Sequence, residues 1–270
     1  MRSSWRSSTT ATWPDTGTRK TKRVNAINQH FISFILTAFL DSVAKIPNKN
    51  NYYCVHRPAH YNQFDVNQFS RGISTIIFDL GGVIVDLSPQ ATADAFAALA
   101  NVPVQQVFKA YTLNPDFNSF EKGELTESDF RNAIRRIFSV EASDAEIDHC
   151  WNAMLLGLPS AKLDLLQKLM GDYNTLLLSN TNSIHLDYIE DRMLAKSSLD
   201  RFFNKAYYSH KIGMRKPDTE IYQHVLKENK LLPEQTVFMD DNIENILAAR
   251  SIGIETVHIT HPDMIFEIFN

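Results

Sequence analysis

Cysteine is scarce in this 270-residue sequence: there are two, Cys54 and Cys150. They stand far apart and outside any metal-ligand spacing, which argues against a disulfide framework and against a cysteine-built metal centre. A reducing compartment, the cytoplasm, is the expected location. Long apolar runs are missing too, and none approaches the ~20 residues of a bilayer span. The longest, FISFILTAFL at 31–40, follows the basic stretch RKTKR as a signal-peptide core would. It sits late, and no small-x-small cleavage site follows, so neither membrane insertion nor secretion is expected. Acidic residues are nearly absent from one end. Residues 1–72 hold ten Lys and Arg against three Asp and no Glu, whereas residues 73–270 hold seventeen Lys and Arg against twenty-eight Asp and Glu. So acidic a body argues against a general nucleic-acid binder.

What is present divides at about residue 73. Residues 1–72 are polar, basic and aperiodic, and read as a disordered extension; a targeting or tethering arm is the alternative. Beyond them, short apolar runs end at polar residues: STIIFD (74–79), YNTLLLS (173–179), KAYYS (205–209), TVFMD (236–240) and IETVHIT (254–260). Such runs are the signature of buried parallel strands. Helical stretches lie between them at 183–195, at 217–230 with Pro217 as its first helical residue, and at 242–253 closing on Gly253. The first of these places Ile184, Tyr188 and Leu194 near one face, in an imperfect stripe. This alternation predicts an α/β fold with a doubly wound parallel sheet. The eighty or so residues after Asp79 hold no strand pattern and read as helices at 89–100, 104–111, 126–138 and 143–155. Thr126 with Asp129, and Ser143 with Glu146, are capping-box starts. The expected organisation is a core of residues 73–88 and 159–270, with an all-helical cap, residues 89–158, inserted after the first strand.

Sites in open α/β sheets form beyond the carboxyl ends of the strands. The residues there are Asp79 in IIFDLGGVIVDL, Ser179-Asn180-Thr181, the Arg215-Lys216-Pro217 loop and Asp240-Asp241. Each alone has an ordinary explanation as turn, cap or solvated side chain. Together they are a carboxylate nucleophile, a hydroxyl, an ammonium and an acid pair, which is the inventory for phosphoryl transfer through an aspartyl-phosphate. Crowded carboxylates repel unless a cation sits among them, and Asp oxygens suit Mg²⁺. Lys216 would place a point charge on the transferring oxygens, and the Ser179 hydroxyl would bind one of them. Gly81 and Gly82 let the backbone turn close to the metal, leaving the Gly81 carbonyl oxygen free to be a ligand.

The motifs FDLGGVIVD, LLLSNTN, GMRKP and FMDDNIENI, in that order, resemble the four motifs of the haloacid dehalogenase-like hydrolase superfamily over roughly residues 74–260. Their spacing is most similar to that of bacterial sugar-phosphate phosphatases of the glucose-1-phosphatase type. The resemblance implies a Rossmann-like core with a helical cap, Mg²⁺ as cofactor and a small phosphorylated metabolite as partner. It implies Asp79 as nucleophile and metal ligand, Ser179 as phosphate ligand with Asn180 adjoining, and Lys216 as stabiliser of the phosphoaspartate. Asp241 becomes the direct metal ligand, with Asp240 behind it. The cap would select the substrate, with Glu121 and Lys122 in FEKGELT (120–126) as candidate contacts or as a solvated turn.

The sequence departs from that pattern at one position. Most phosphatases of the superfamily carry a second Asp two residues after the nucleophile, as acid and base; this chain has Gly81. A positioned acid–base group is worth about 10²–10⁴ in rate. Three alternatives to an efficient phosphatase follow. A haloacid dehalogenase also lacks the second Asp, but its metal-free chemistry fits poorly with Asp240-Asp241. A receiver domain of the signalling class has its acid pair before its phosphoacceptor, not some 160 residues after it. A catalytically impaired phosphate-binding protein would keep the fold and lose turnover.

Overall fold

The run Thr75–Phe78 holds one threonine and three large apolar residues, β-formers with no charge to place in water, so it becomes a central strand, β1, with all four residues buried. The structure, a computed structural model, describes residues 72–269; the expectations for the basic extension, the apolar run at 31–40 and Cys54 fall outside the described residues. After β1 come β2 (Asp86–Leu87) and five helices: α1 (Pro89–Ala100), α2 (Val104–Leu113), α3 (Asp116–Glu121), α4 (Glu127–Phe138) and α5 (Asp144–Asn152). There follow β3 (Leu155–Gly157), α6 (Ser160–Asp172), β4 (Asn174–Ser179), α7 (Ser183–Tyr188), β5 (Lys205–Tyr208), α8 (Ser209–Ile212) and α9 (Thr219–Asn229). The chain ends with β6 (Thr236–Asp240), α10 (Ile243–Ser251), β7 (Glu255–His258) and α11 (Met264–Phe269).

Strands β5, β4, β1, β6 and β7 lie in that order, all parallel. Ile77 pairs with Leu176 on one side and Phe238 on the other. Alternate residues feed two cores: Ile76, Phe78, Leu177 and Met239 pack on one face of the sheet, Ile77, Leu176, Leu178 and Phe238 on the other. The chain leaves β1 toward β4 on one flank and later fills β6 on the other. The order therefore reverses at β1 and leaves a crevice beyond its carboxyl end. This is the Rossmann-type α/β fold expected from the five apolar runs.

The helices between β1 and β4 bury their own cluster, rich in aromatic rings. Phe120 stacks on Phe130 with centroids 4.1 Å apart, and Trp151 lies 5.0 Å from Phe130. Helices α4 and α5 open on the two capping boxes read from the sequence. Three expectations need correction. The segment is not strand-free: β2 pairs antiparallel with β3 where the chain leaves and rejoins the sheet, and the two stretches satisfy each other's backbone. Two or three residues are too few to show a strand period. Pro217 is not a first helical residue; the Lys216–Pro217 peptide is cis, and α9 begins at Thr219. Helix α3, six residues long, is too short for periodicity to reveal.

The imperfect stripe at 183–195 has a physical cause. Ile184 packs into the aromatic cluster of the helical insert, whereas Tyr188 and Leu194 pack against the sheet. One short helix, continued by a π turn over Ile189–Met193, thus serves two cores. Beside it His185 is sealed between Trp151, stacked at 4.9 Å, and Asn152, whose Oδ1 lies 2.8 Å from His185 Nδ1. Burial holds this imidazole neutral, its pKa lowered to about 3.

Candidate active site

Asp79 follows the last residue of β1 and is 8% exposed, held by its N–H donating to the Met239 carbonyl at 2.8 Å. Strand β6, the neighbour of β1, ends in Asp240, and Asp241 comes next. Carboxylate oxygens of Asp79, Asp240 and Asp241 lie within 4.8 Å of one another. Lys216, 1% exposed, enters from the loop before α9 and bridges two of them, with Nζ 2.7 Å from Asp79 Oδ1 and 2.6 Å from Asp240 Oδ2. The backbone of Lys216 is clamped in turn by Asn180. The Asn180 Nδ2 donates to the Lys216 carbonyl and its Oδ1 accepts from the Lys216 N–H, both at 2.8 Å. Asn180 follows Ser179, the last residue of β4 and itself 2% exposed. The loop 179–181 is pinned from the other side, where Thr181 N–H donates to Ser209 Oγ and that hydroxyl donates back to the Thr181 carbonyl, both at 2.9 Å.

The two acids at the end of β6 differ in kind. Asp240 is fully buried and its carboxylate is saturated. It accepts from Lys216, from the Asn242 N–H at 2.7 Å and from Asn245 Nδ2 at 3.0 Å to each oxygen. Asp241 has no side-chain hydrogen bond to another described residue; its main-chain carbonyl accepts from His258 Nε2 at 2.9 Å. Burial, then Asp79 and Asp240, push the Asp241 carboxyl up to about 8. Burial also raises Asp79 to about 7, with Asp240 adding to the rise and Lys216 opposing it. Lys216 moves up: burial disfavours its charge, but the carboxylates of Asp240 and Asp79 outweigh that. One ammonium among three carboxylates, those of Asp79 and Asp240 buried and that of Asp241 half-buried, leaves negative charge uncompensated. A hard cation with oxygen ligands would supply what the protein lacks, so the donor set fits Mg²⁺.

The two glycines of the motif serve different neighbours. Gly82 has φ +72°, and a Cβ there would land on the Asp241 carboxylate. Only glycine permits both the turn and the approach of Asp241. At Gly81 a Cβ would land on Leu87 Cδ1. The side of the chain on which a second acid would stand is filled by a methyl group from β2. Sequence reading singled out neither Leu87, nor Asn245, nor Asn180's hold on the Lys216 backbone. Asn245 stands five residues beyond Asp240 on α10, a spacing that puts it back over the strand end and could have marked it.

Glu121 and Lys122 lie at the end of α3. Glu121 is engaged by Arg215, whose Nη2 donates to Glu121 Oε2 at 2.8 Å and whose Nε donates at 3.2 Å. Lys122 Nζ stands 3.8 Å from Asp218.

Comparison with known proteins places the chain in a family. Residues 73–253 match the family described as haloacid dehalogenase-like hydrolase. The chain is 29% identical over 186 residues to a D-ribitol-5-phosphate phosphatase of Bacteroides thetaiotaomicron, covering 68% of this chain and 90% of that one. It is 25% identical to a sesquiterpene phosphatase of Aspergillus oryzae, covering 68% of this chain and 88% of that one. A crystal structure of a HAD family enzyme from Bacteroides thetaiotaomicron, in complex with magnesium and inorganic phosphate, superimposes with a TM-score of 0.64. It shares 34% identity and covers 69% of this chain and 94% of that one.

Proposed function

Because the chain belongs to the haloacid dehalogenase-like hydrolase family, we propose that it is a Mg²⁺-dependent phosphatase of a small phosphomonoester, a sugar or polyol phosphate, acting through an aspartyl-phosphate on Asp79. The observation that carries the reading is the meeting of Asp79, Lys216, Asp240 and Asp241 beyond the ends of β1 and β6. The phosphatase names of the two relatives and the magnesium–phosphate complex of the solved neighbour support it. Asp79 attacks phosphorus as the P–O ester bond breaks, and the leaving oxygen takes a proton from water; a second water then attacks phosphorus, breaking the bond to Asp79 and giving its proton to solvent as phosphate is released. Lys216, fixed by Asn180 and Asp240, holds positive charge against the transferring oxygens, and Ser179 donates its hydroxyl to one of them. Asp79, Asp241 and the Gly81 carbonyl would hold the metal, with Asp240 reserved for orienting Lys216. The metal, when bound, offsets the repulsion between phosphate and carboxylate. The helical insert, residues 89–158 in this reading, covers the leaving group.

A second reading, a phosphate-binding protein with impaired turnover, is favoured by one observation: Leu87 fills the place beside Gly81. The test is phosphate release by the full chain from a panel of sugar and polyol phosphates, with Mg²⁺ and with chelator. Mg²⁺-dependent release supports the phosphatase. Bound phosphate without release supports the binding protein. Metal-independent halide release from a haloacid would make it a dehalogenase.

A further inference from the structure

Three consecutive residues of the helical insert dock on three points of the core around Lys216. Two N–H groups of Arg215, Nε and Nη2, converge on Glu121 Oε2, and the Tyr111 hydroxyl donates to Glu121 Oε1 at 3.4 Å. Lys122 faces Asp218. Gly123, at φ +70°, lies so close to the His210 carbonyl that a Cβ there would land on it. The Arg215 and Glu121 side chains are 18% and 13% exposed, so their pair is largely out of water, unlike the open Lys122–Asp218 pair. Partial burial matters because a lone charge left there has no full hydration to return to. The pair joins residues 94 apart in sequence, and Arg215 is bonded directly to Lys216.

We propose that the Glu121–Arg215 pair makes these two residues positioning residues for Lys216: docking of the α3 end draws Arg215 to the insert and sets the peptide from which the Lys216 ammonium reaches Asp79 and Asp240. The inference rests on the phosphatase reading for its catalytic consequence, but not for the latch itself. The Lys216 peptide has two restraints. Asn180 holds it from the sheet side, and Arg215 holds the preceding residue from the insert side. Loss of the second leaves the ammonium charged and buried but less well aimed. Neither Glu121 nor Arg215 need touch the substrate.

Amide hydrogen exchange and kinetics on the full chain, with Mg²⁺ and p-nitrophenyl phosphate, test this. The amides of Lys122, Gly123 and Lys216 are hydrogen-bonded and therefore report on the latch. Glu121→Gln and Arg215→Gln are each expected to speed exchange about tenfold in both segments together and to lower kcat/KM about tenfold. Arg215→Lys, which keeps the charge and loses the fork, is expected to fall between them and the native chain. Exchanging the partners, Glu121→Arg with Arg215→Glu, is expected to recover protection and rate. Unchanged exchange at Lys216 in the single variants, or a double variant no better than either single one, would overturn the proposal. If the native chain releases neither nitrophenol nor phosphate from the sugar and polyol phosphates, the phosphatase reading fails, while the exchange experiment still decides the latch.

Discussion

The strand-end crevice and the aromatic cluster of α1–α5 are both well buried, yet they are ordered by opposite means. In the crevice, charged groups sit among charged groups, and polar bonds fix Lys216, through two carboxylates and the Asn180 amide, and Asp240, through Lys216, Asn242 and Asn245. In the cluster, rings meet rings, and packing dominates, with the Trp151 indole N–H donating to Asn182 Oδ1 at its edge. The crevice resists change of charge and the cluster resists change of volume. A substitution in the first should alter chemistry and metal affinity, and one in the second should alter stability.

Four measurements would break or sharpen that contrast. The largest effect is expected at Asp79→Asn, which keeps volume and removes the proposed nucleophile: phosphate release should fall by about 10⁴ or more, with melting temperature no lower than native. A lowered melting temperature with retained activity would show Asp79 to be structural. Next come the two acids. Asp240→Asn removes one of the two carboxylates on the buried Lys216 ammonium, leaving Asp79 alone, and should cost about 3 kcal/mol in urea unfolding, the low end for a broken buried pair. Asp241→Asn removes a crowded carboxylate and should leave the metal-free protein as stable or more so, while weakening Mg²⁺ binding by calorimetry. The reverse order would exchange their assignments.

In the cluster, Phe130→Ala should cost about 3–4 kcal/mol, since Phe130 is fully buried against Phe120 and Trp151. Its effect on Mg²⁺ affinity should be slight. The smallest effect is at the join. The folded pKa of His185, about 3, lies below its ordinary 6.5. Its contribution to stability is therefore full above pH 6.5 and is lost as pH falls from 6.5 toward 3. The slope from this group is at most about 1.4 kcal/mol per pH unit. Urea midpoints of the native chain and of His185→Gln, compared between pH 7 and 5, should diverge accordingly; parallel curves would show that the imidazole is not sealed off.

Much of the sheet was legible because a strand buried on both faces is mostly apolar and β-branched, and a polar or charged residue marks where the run stops. Runs such as TIIF and TVFM carry that constraint in their composition. The four long helices of the insert were legible through period and capping boxes, whereas α3 and the β2–β3 pair were too short to repeat anything. Among the candidate site residues, Asp79, Asp240 and Asp241 could be gathered on paper because they stand at or just beyond strand ends, and Lys216 because it stands in the loop before a readable helix. The division of labour between Asp240 and Asp241 rests on which carboxylate Asn242, Asn245 and Lys216 reach, and no spacing rule states that. The expectation of Pro217 as a helix start went wrong for a related reason: proline suits a first helical turn, but here it follows a lysine whose backbone Asn180 already holds.

What the chain determined by itself was local: where apolar runs stop, which helices can start, and that a carboxylate, a hydroxyl, an ammonium and an acid pair stand at those stops. Local rules suffice there because burial and capping act on neighbours in sequence. Tertiary structure alone decided what stands beside Gly81 and what holds Lys216. Leu87 reaches that glycine because β2 turns back beside the end of β1, and Glu121 reaches Arg215 across 94 residues because α3 ends over the crevice. Close approach between segments far apart in sequence depends on how the layers pack, and packing leaves no periodic mark in the residues that meet.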